Sequence, residues 1–190
     1  MLKIDIHTHI IPEHLPKWSE KFLDNRYIHL DHHCPGCAKM MQGDKFFREI
    51  KSNCWDGDVR IEDCDATGVH VQVLSAIPVM FHYWEKNAAY ALETSRFQND
   101  FIAEVVSRHP KRFVGLGTVP LQDPELSIQE MERCVKELGL AGIEIGSHVN
   151  EWNLNAVRHC SIRQKDILRD VIPCLKQNAH LLYSTCSYSS

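Results

Sequence analysis

No run of apolar residues in this 190-residue chain approaches the roughly 20 needed to cross a bilayer, which excludes a long membrane-spanning helix. The N-terminus lacks a basic segment followed by an apolar one, so no secretory leader is expected and the cytosol is the expected compartment. Basic residues do not outnumber acidic ones. The formal net charge of −4 gives no electrostatic reason to expect nucleic acid or an anionic membrane as a partner. A second Cys-x-x-Cys is also missing: Cys34-Pro35-Gly36-Cys37 stands alone, whereas a structural zinc site wants four ligands. Without a leader, the eight cysteines are expected to be mostly reduced thiols and not a disulfide framework. The rest is ordinary for a soluble globular protein, with 44% apolar and 24% charged residues in a length suited to one domain with a small insertion.

The most informative stretch is the first. Met1-Leu2-Lys3-Ile4-Asp5-Ile6-His7-Thr8-His9 reads as a strand over residues 2–7 whose alternation sends Leu2, Ile4 and Ile6 one way and Asp5, His7 and His9 the other. Two imidazoles two residues apart on one face, at a strand's C-terminal end, can share one metal ion. Asp5, one pleat below, has two readings. It receives an N–H from a ligand imidazole and sets its tautomer, or it is a buried carboxylate bonded to nearby backbone or to a cation.

Further along, residues 12–18 are loop-like, and residues 26–50 read as a strand-turn-strand insertion around Cys34-Pro35-Gly36-Cys37 and Gly43-Asp44. A helix is expected from Asp56 to Thr67, closed by Gly68. Strands are expected at 69–77, 113–119 and 141–146. Helices are expected at 87–108, with Ala91, Leu92, Phe97, Phe101, Ile102 and Val105 at helical spacing, and at 124–138, with Leu126, Met131 and Val135 on one side. Strands alternating with helices imply parallel strands joined by crossover helices, the α/β pattern of a (β/α) barrel with its chemistry at the C-terminal strand ends. A whole barrel takes about 250 residues, and no convincing fifth strand follows residue 146. After residue 156 the periodicity fades. A short helix is expected at 165–175, and the Ser-rich end is expected to be disordered.

The Asp-x-His-x-His opening resembles that of the metal-dependent amidohydrolase superfamily. Further stretches resemble its 2-amino-3-carboxymuconate-6-semialdehyde decarboxylase (picolinate carboxylase) family: Asn53-Cys54-Trp55-Asp56, Ile77-Pro78-Val79-Met80-Phe81, Arg112 to Thr118, Met131 to Gly139, and His148 to Ala156. The resemblance covers residues 1 to about 156 and then fails, which divides the chain into an N-terminal part of the barrel (1–156, with an insertion at 12–55) and a divergent tail (157–190). It implies a partial TIM-type barrel with a small β insertion, truncated after about four strands. It also implies a zinc-dependent carboxy-lyase of tryptophan catabolism, acting without oxidation on a small molecule and limiting quinolinate formation. His7 and His9 match two of the family's zinc ligands, and Arg48 matches an insertion arginine that binds a substrate carboxylate. The family's third histidine ligand, its aspartate ligand and its acid/base histidine have no counterpart, so the resemblance assigns no catalytic residue here. An impaired or inactive chain is therefore expected, or one that associates as a homodimer or with the complete enzyme and regulates it.

Three other features stand beside that reading. His32, His33, Cys34 and Cys37, with Cys54 as a further donor, form a second possible metal module, weighed against a plain Pro-Gly turn. Met80, Phe81, Tyr83 and Trp84 either wall a pocket or pack the core. Glu144, Ser147 and His148 end the fourth strand at the expected active face, with His148 a candidate substitute ligand.

Overall fold

The structure is a computed structural model that describes residues 2–146. The chain divides into two units, Met1–Glu144 and Ile145–Ser190, and all the described strands and helices belong to the first. The expected helix at 165–175, the tail, Ser147 and His148 lie outside the described residues.

Four strands, β1 (Ile4–Ile10), β5 (Val71–Ala76), β6 (Phe113–Gly117) and β7 (Gly142–Ile143), form one sheet in the order β1-β5-β6-β7, all parallel. Each pair is joined through a helix: α2 (Gly57–Thr67), α3 (Ala88–Arg108) and α4 (Pro124–Lys136). This is the α/β architecture of a partial (β/α) barrel. Among the described residues, β1 is paired on one side only. The insertion forms a separate antiparallel sheet, β2 (Ile28–Cys34), β3 (Cys37–Gln42) and β4 (Lys45–Lys51), preceded by the short helix α1 (Trp18–Lys21).

The helix ends follow from side-chain chemistry. Asp56, Asn87 and Asp123 each cap a helix by accepting backbone N–H groups of its first turn. Gly68 closes α2 at φ 70°, a left-handed conformation that side chains disfavour. No helix among the described residues is long and apolar enough to cross a membrane.

Two apolar clusters hold the unit together. One lies between the parallel sheet and its helices and centres on Ile10, Leu74, Ile102 and Phe113. The other fills the space under the insertion with Trp18, Tyr27, Met40, Trp55 and Met80. Met80 and Phe81 are core residues, and Trp84 packs against Tyr27 under the guanidinium of Arg26, so packing and not pocket-lining is what the structure shows for them.

Several expectations need correction. Strand β1 runs through His9 to Ile10, and its register against β5 slips between Asp5 and Thr8, so the simple alternation is broken there. The last strand is only Gly142–Ile143. On α4 the buried face is Ser127, Glu130 and Cys134, while Met131 and Val135 are exposed. The reason is polar: Glu130 is wholly buried because Arg96, Arg133 and Asn99 all donate to it. Such a carboxylate reads as surface in a hydropathy pattern. Finally, Cys34 and Cys37 are joined as a disulfide across their turn, whereas Cys54, Cys64 and Cys134 are free.

Candidate metal centre

The C-terminal ends of the parallel strands bring together His7 and His9 from β1, Ser75 and Ala76 from β5, and Glu144 just after β7. The two imidazoles stand edge to face with ring centroids 5.0 Å apart. His9 is half-buried, whereas His7 is exposed.

The orientation of His9 is fixed from several sides. Its Nδ1 lies 3.0 Å from the carbonyl oxygen of Ala76 and 3.1 Å from Oγ of Ser75. A carbonyl only accepts, so the proton sits on Nδ1, and Nε2 keeps its lone pair. Ser75 meanwhile donates to the carbonyl of Thr8, and Arg60 donates to the carbonyl of His9, tying β1 to β5 and α2. Burial, then the neighbouring His7, lowers the pKa of His9; the Ala76 bond opposes this, and Arg60 adds to the lowering. A neutral imidazole with Nδ1 bonded to a backbone carbonyl and Nε2 open is the form in which histidine binds metal.

Glu144 Oε2 lies 3.9 Å from Nδ1 of His9 and is buried without a hydrogen-bond partner among the described residues. Burial raises the pKa of this carboxyl, and the nearby Ser75 and His7 oppose the rise. Glu144 stands on the Nδ1 side of His9, away from its open Nε2; the fit to a divalent metal therefore rests on the two neighbouring imidazoles of His7 and His9. Asp5 follows its second reading in part. Its carboxylate accepts from the backbone N–H of His7 and from the amide of Gln72. Arg48 lies exposed on β4, opposite Met40 in the insertion sheet.

The second module resolves differently. His33, Cys34 and Cys37 bring one donor atom each within 4.8 Å of one another, the one such group of three among the described residues. His32 does not join them: its Nε2 meets the carbonyl of Glu13, and its ring packs on Trp55. Cys54 is engaged with Asn53.

Sequence reasoning missed two features. His82 sits in a left-handed conformation at φ 49°, buried, with Nδ1 on Thr94 and Nε2 unpartnered among the described residues. The Asn99–Glu130 pair at the carboxyl end of β6 is the other. No local pattern flags either, since both depend on partners distant in sequence.

The amidohydrolase family matches residues 4–163. The chain is 56% identical over 154 residues to 2-amino-3-carboxymuconate-6-semialdehyde decarboxylase of Dictyostelium discoideum, covering 81% of this chain and 43% of that protein. It is 36% identical over 173 residues to the protein of the same name in Caenorhabditis elegans, covering 80% of this chain and 43% of that one. Among solved structures it resembles a dihydroxybenzoic acid decarboxylase from Polaromonas, with bound manganese and 2-nitroresorcinol, at a TM-score of 0.54 and 28% identity over 77% of this chain and 38% of that one. The chain thus spans less than half the length of these curated relatives.

Proposed function

The chain belongs to the amidohydrolase family, and on that footing we propose that it carries the metal-binding first strand and the substrate-facing insertion of a zinc-dependent, non-oxidative decarboxylase. The reaction is conversion of 2-amino-3-carboxymuconate 6-semialdehyde to 2-aminomuconate semialdehyde in tryptophan catabolism, in the cytosol. The observation that carries this reading is His9. Its Nδ1–H is committed to Ala76, which leaves the Nε2 lone pair for a ligand beside His7 at the active end of the sheet.

His7 and His9 hold the ion, with Ser75 and Ala76 fixing the ring of His9. When bound, a divalent ion supplies Lewis-acid polarisation of the group that takes up charge as CO2 leaves. Arg48 offers a planar, bidentate partner for a substrate carboxylate, a geometry that lysine reproduces poorly. The two imidazoles placed among the described residues are fewer than the three protein ligands usual at catalytic zinc, and the reading expects decarboxylation by this chain to be weak or absent.

The test is an assay of the purified, zinc-supplemented chain on this substrate beside the Dictyostelium relative. The expected result is metal uptake that depends on His7 and His9, with little turnover. Full turnover would show that other residues of this chain complete the site. Metal uptake unchanged in His7→Asn and His9→Asn would remove the assignment.

A second reading, a non-catalytic chain that binds the complete enzyme and regulates it, is favoured by β1. Leu2, Ile4 and Ile6 are 66%, 51% and 46% exposed beside a strand paired on one side only among the described residues. Apolar side chains along an open strand edge favour association. Co-purification with the full-length relative supports it, and no effect on that enzyme's rate at excess counts against it.

A further inference from the structure

The β2–β3 turn carries a group of donors that the decarboxylase reading does not use. Cys34 and Cys37 are register partners at the mouth of the hairpin, brought together by Pro35 and by Gly36 at φ 73°. Their Cα atoms are 5.3 Å apart, and the sulfurs are joined. Nε2 of His33 lies 3.7 Å from Sγ of Cys37 and 3.7 Å from Oε2 of Glu49, which reaches over from β4. Cys37 is buried, whereas Cys34 is exposed, so the group is anchored on one side and open on the other.

These spacings suit a metal ion. Zinc sits about 2.3 Å from thiolate sulfur and about 2.0–2.1 Å from imidazole nitrogen in tetrahedral geometry, which sets sulfur and nitrogen ligands roughly 3.5 Å apart. Thiolate with imidazole is also the donor chemistry that selects zinc over manganese, magnesium or calcium. Glu49 flanks the group on the His33 side, outside the three mutually close donors. The alternative donors nearby, His32 and Cys54, are engaged elsewhere.

We propose that His33, Cys34 and Cys37, with Glu49 beside them, form a zinc site that opens when the Cys34–Cys37 bond is reduced. A dithiol reductant breaks the S–S bond. Each protein sulfur gains one electron, and the reductant loses two and closes its own disulfide. The two protons pass to the Cys34 and Cys37 thiols and leave for water as the thiolates take up zinc. Reoxidation by a disulfide of the glutathione class runs the balance backwards and releases the ion. The insertion sheet thereby carries a redox-controlled metal site of its own, in the same sheet as Arg48.

Cobalt(II) replaces zinc as the probe, because only thiolate ligands give an intense sulfur-to-cobalt charge-transfer absorption. The whole chain is reduced, desalted anaerobically and titrated with cobalt, then back-titrated with zinc. The expected result is a charge-transfer band that saturates with metal, is displaced by zinc, persists in His7→Asn/His9→Asn, and is lost in Cys34→Ser and in the oxidised protein. Alkylation with iodoacetamide, mapped by peptide mass, reads the same site without a substitution. Zinc should protect Cys34 and Cys37 together. Burial pushes up the thiol pKa of Cys64, and that of Cys134 to about 12, so both should stay unlabelled with or without metal. A reduced chain with both thiols titratable but no charge-transfer band overturns the proposal. So does a band that survives in Cys34→Ser, or zinc protection that maps to other cysteines.

Discussion

The Nδ1–H of His9 points at the carbonyl oxygen of Ala76, 3.0 Å away, and so commits the lone pair of the ring to Nε2. Ser75 Oγ, 3.1 Å from the same nitrogen, supports that choice. Substituting such a supporting partner typically costs about tenfold or more in metal affinity. Ser75→Ala should therefore weaken manganese binding by roughly tenfold, and His9→Ala should abolish it. Manganese is the useful titrant in calorimetry, because the thiolates of the insertion hold it poorly. Equal affinity in wild type and both variants would mean that the β1 histidines do not hold the ion.

Asn99 clamps the carboxyl end of β6. Its side chain accepts from the N–H of Thr118 at 2.7 Å and donates to the carbonyl of Thr118 at 2.9 Å, while also donating to Glu130 at 2.8 Å. All three residues are buried. Asn99→Ala leaves a backbone N–H, a backbone carbonyl and a carboxylate short of partners, and should cost about 2–4 kcal/mol. Burial alone would raise the pKa of Glu130, but Arg133, Asn99 and Arg96 hold it below the ordinary carboxylate value. Glu130→Gln removes the charge between two arginines and should cost about 3 kcal/mol. Urea denaturation of each variant measures both numbers, and a loss below about 0.5 kcal/mol in either would show that the network contributes little.

Which parts of this were legible in the sequence depends on how local their causes are. Asp56, Asn87, Asp123 and Gly68 set helix ends through neighbours a few residues away, and those boundaries were readable. So was the proximity of His7 and His9, which follows from their being two residues apart in one strand even though the register slips beside His7. The buried face of α4 was not readable. Glu130 occupies it because α3 supplies Arg96 and Asn99 from more than 30 residues away, Ser127 because its hydroxyl donates to the carbonyl of Pro120, and Cys134 because Gly117 leaves space for it. The slip in β1 was hidden as well, since register belongs to the pair of strands and not to either one. Of the second metal module, the motif was visible, but the choice of His33 over His32 was decided by Glu13 and Trp55.

Gly115 marks a close approach between β6 and its covering layer. A Cβ there would meet Cδ2 of Leu140 at 2.6 Å and Cγ2 of Ile102 at 2.8 Å, both buried core side chains. Neither side chain has free volume to retreat into in a close-packed interior. Gly115→Ala should destabilise the chain by about 1–3 kcal/mol, read as a fall in thermal midpoint. An unchanged midpoint would mean that the layer shifts without cost.

His82 supplies a pH dependence whose sign is fixed by its surroundings. Burial alone pushes its pKa down from an ordinary 6.5 to about 3. Between those values the folded protein keeps the ring neutral, with Nδ1 bonded to Thr94, while the unfolded chain takes up a proton. The unfolded state therefore binds more protons, and stability falls as pH falls through that window. The slope from this one residue is at most about 1.4 kcal/mol per pH unit. His82→Asn is the informative substitution, because asparagine tolerates the left-handed backbone at φ 49° and carries no titrating group. Urea unfolding at a series of pH values should show wild type losing stability below about pH 6.5 more steeply than the variant. Parallel curves would show that the acid sensitivity arises elsewhere and that the ring of His82 reaches solvent when it protonates.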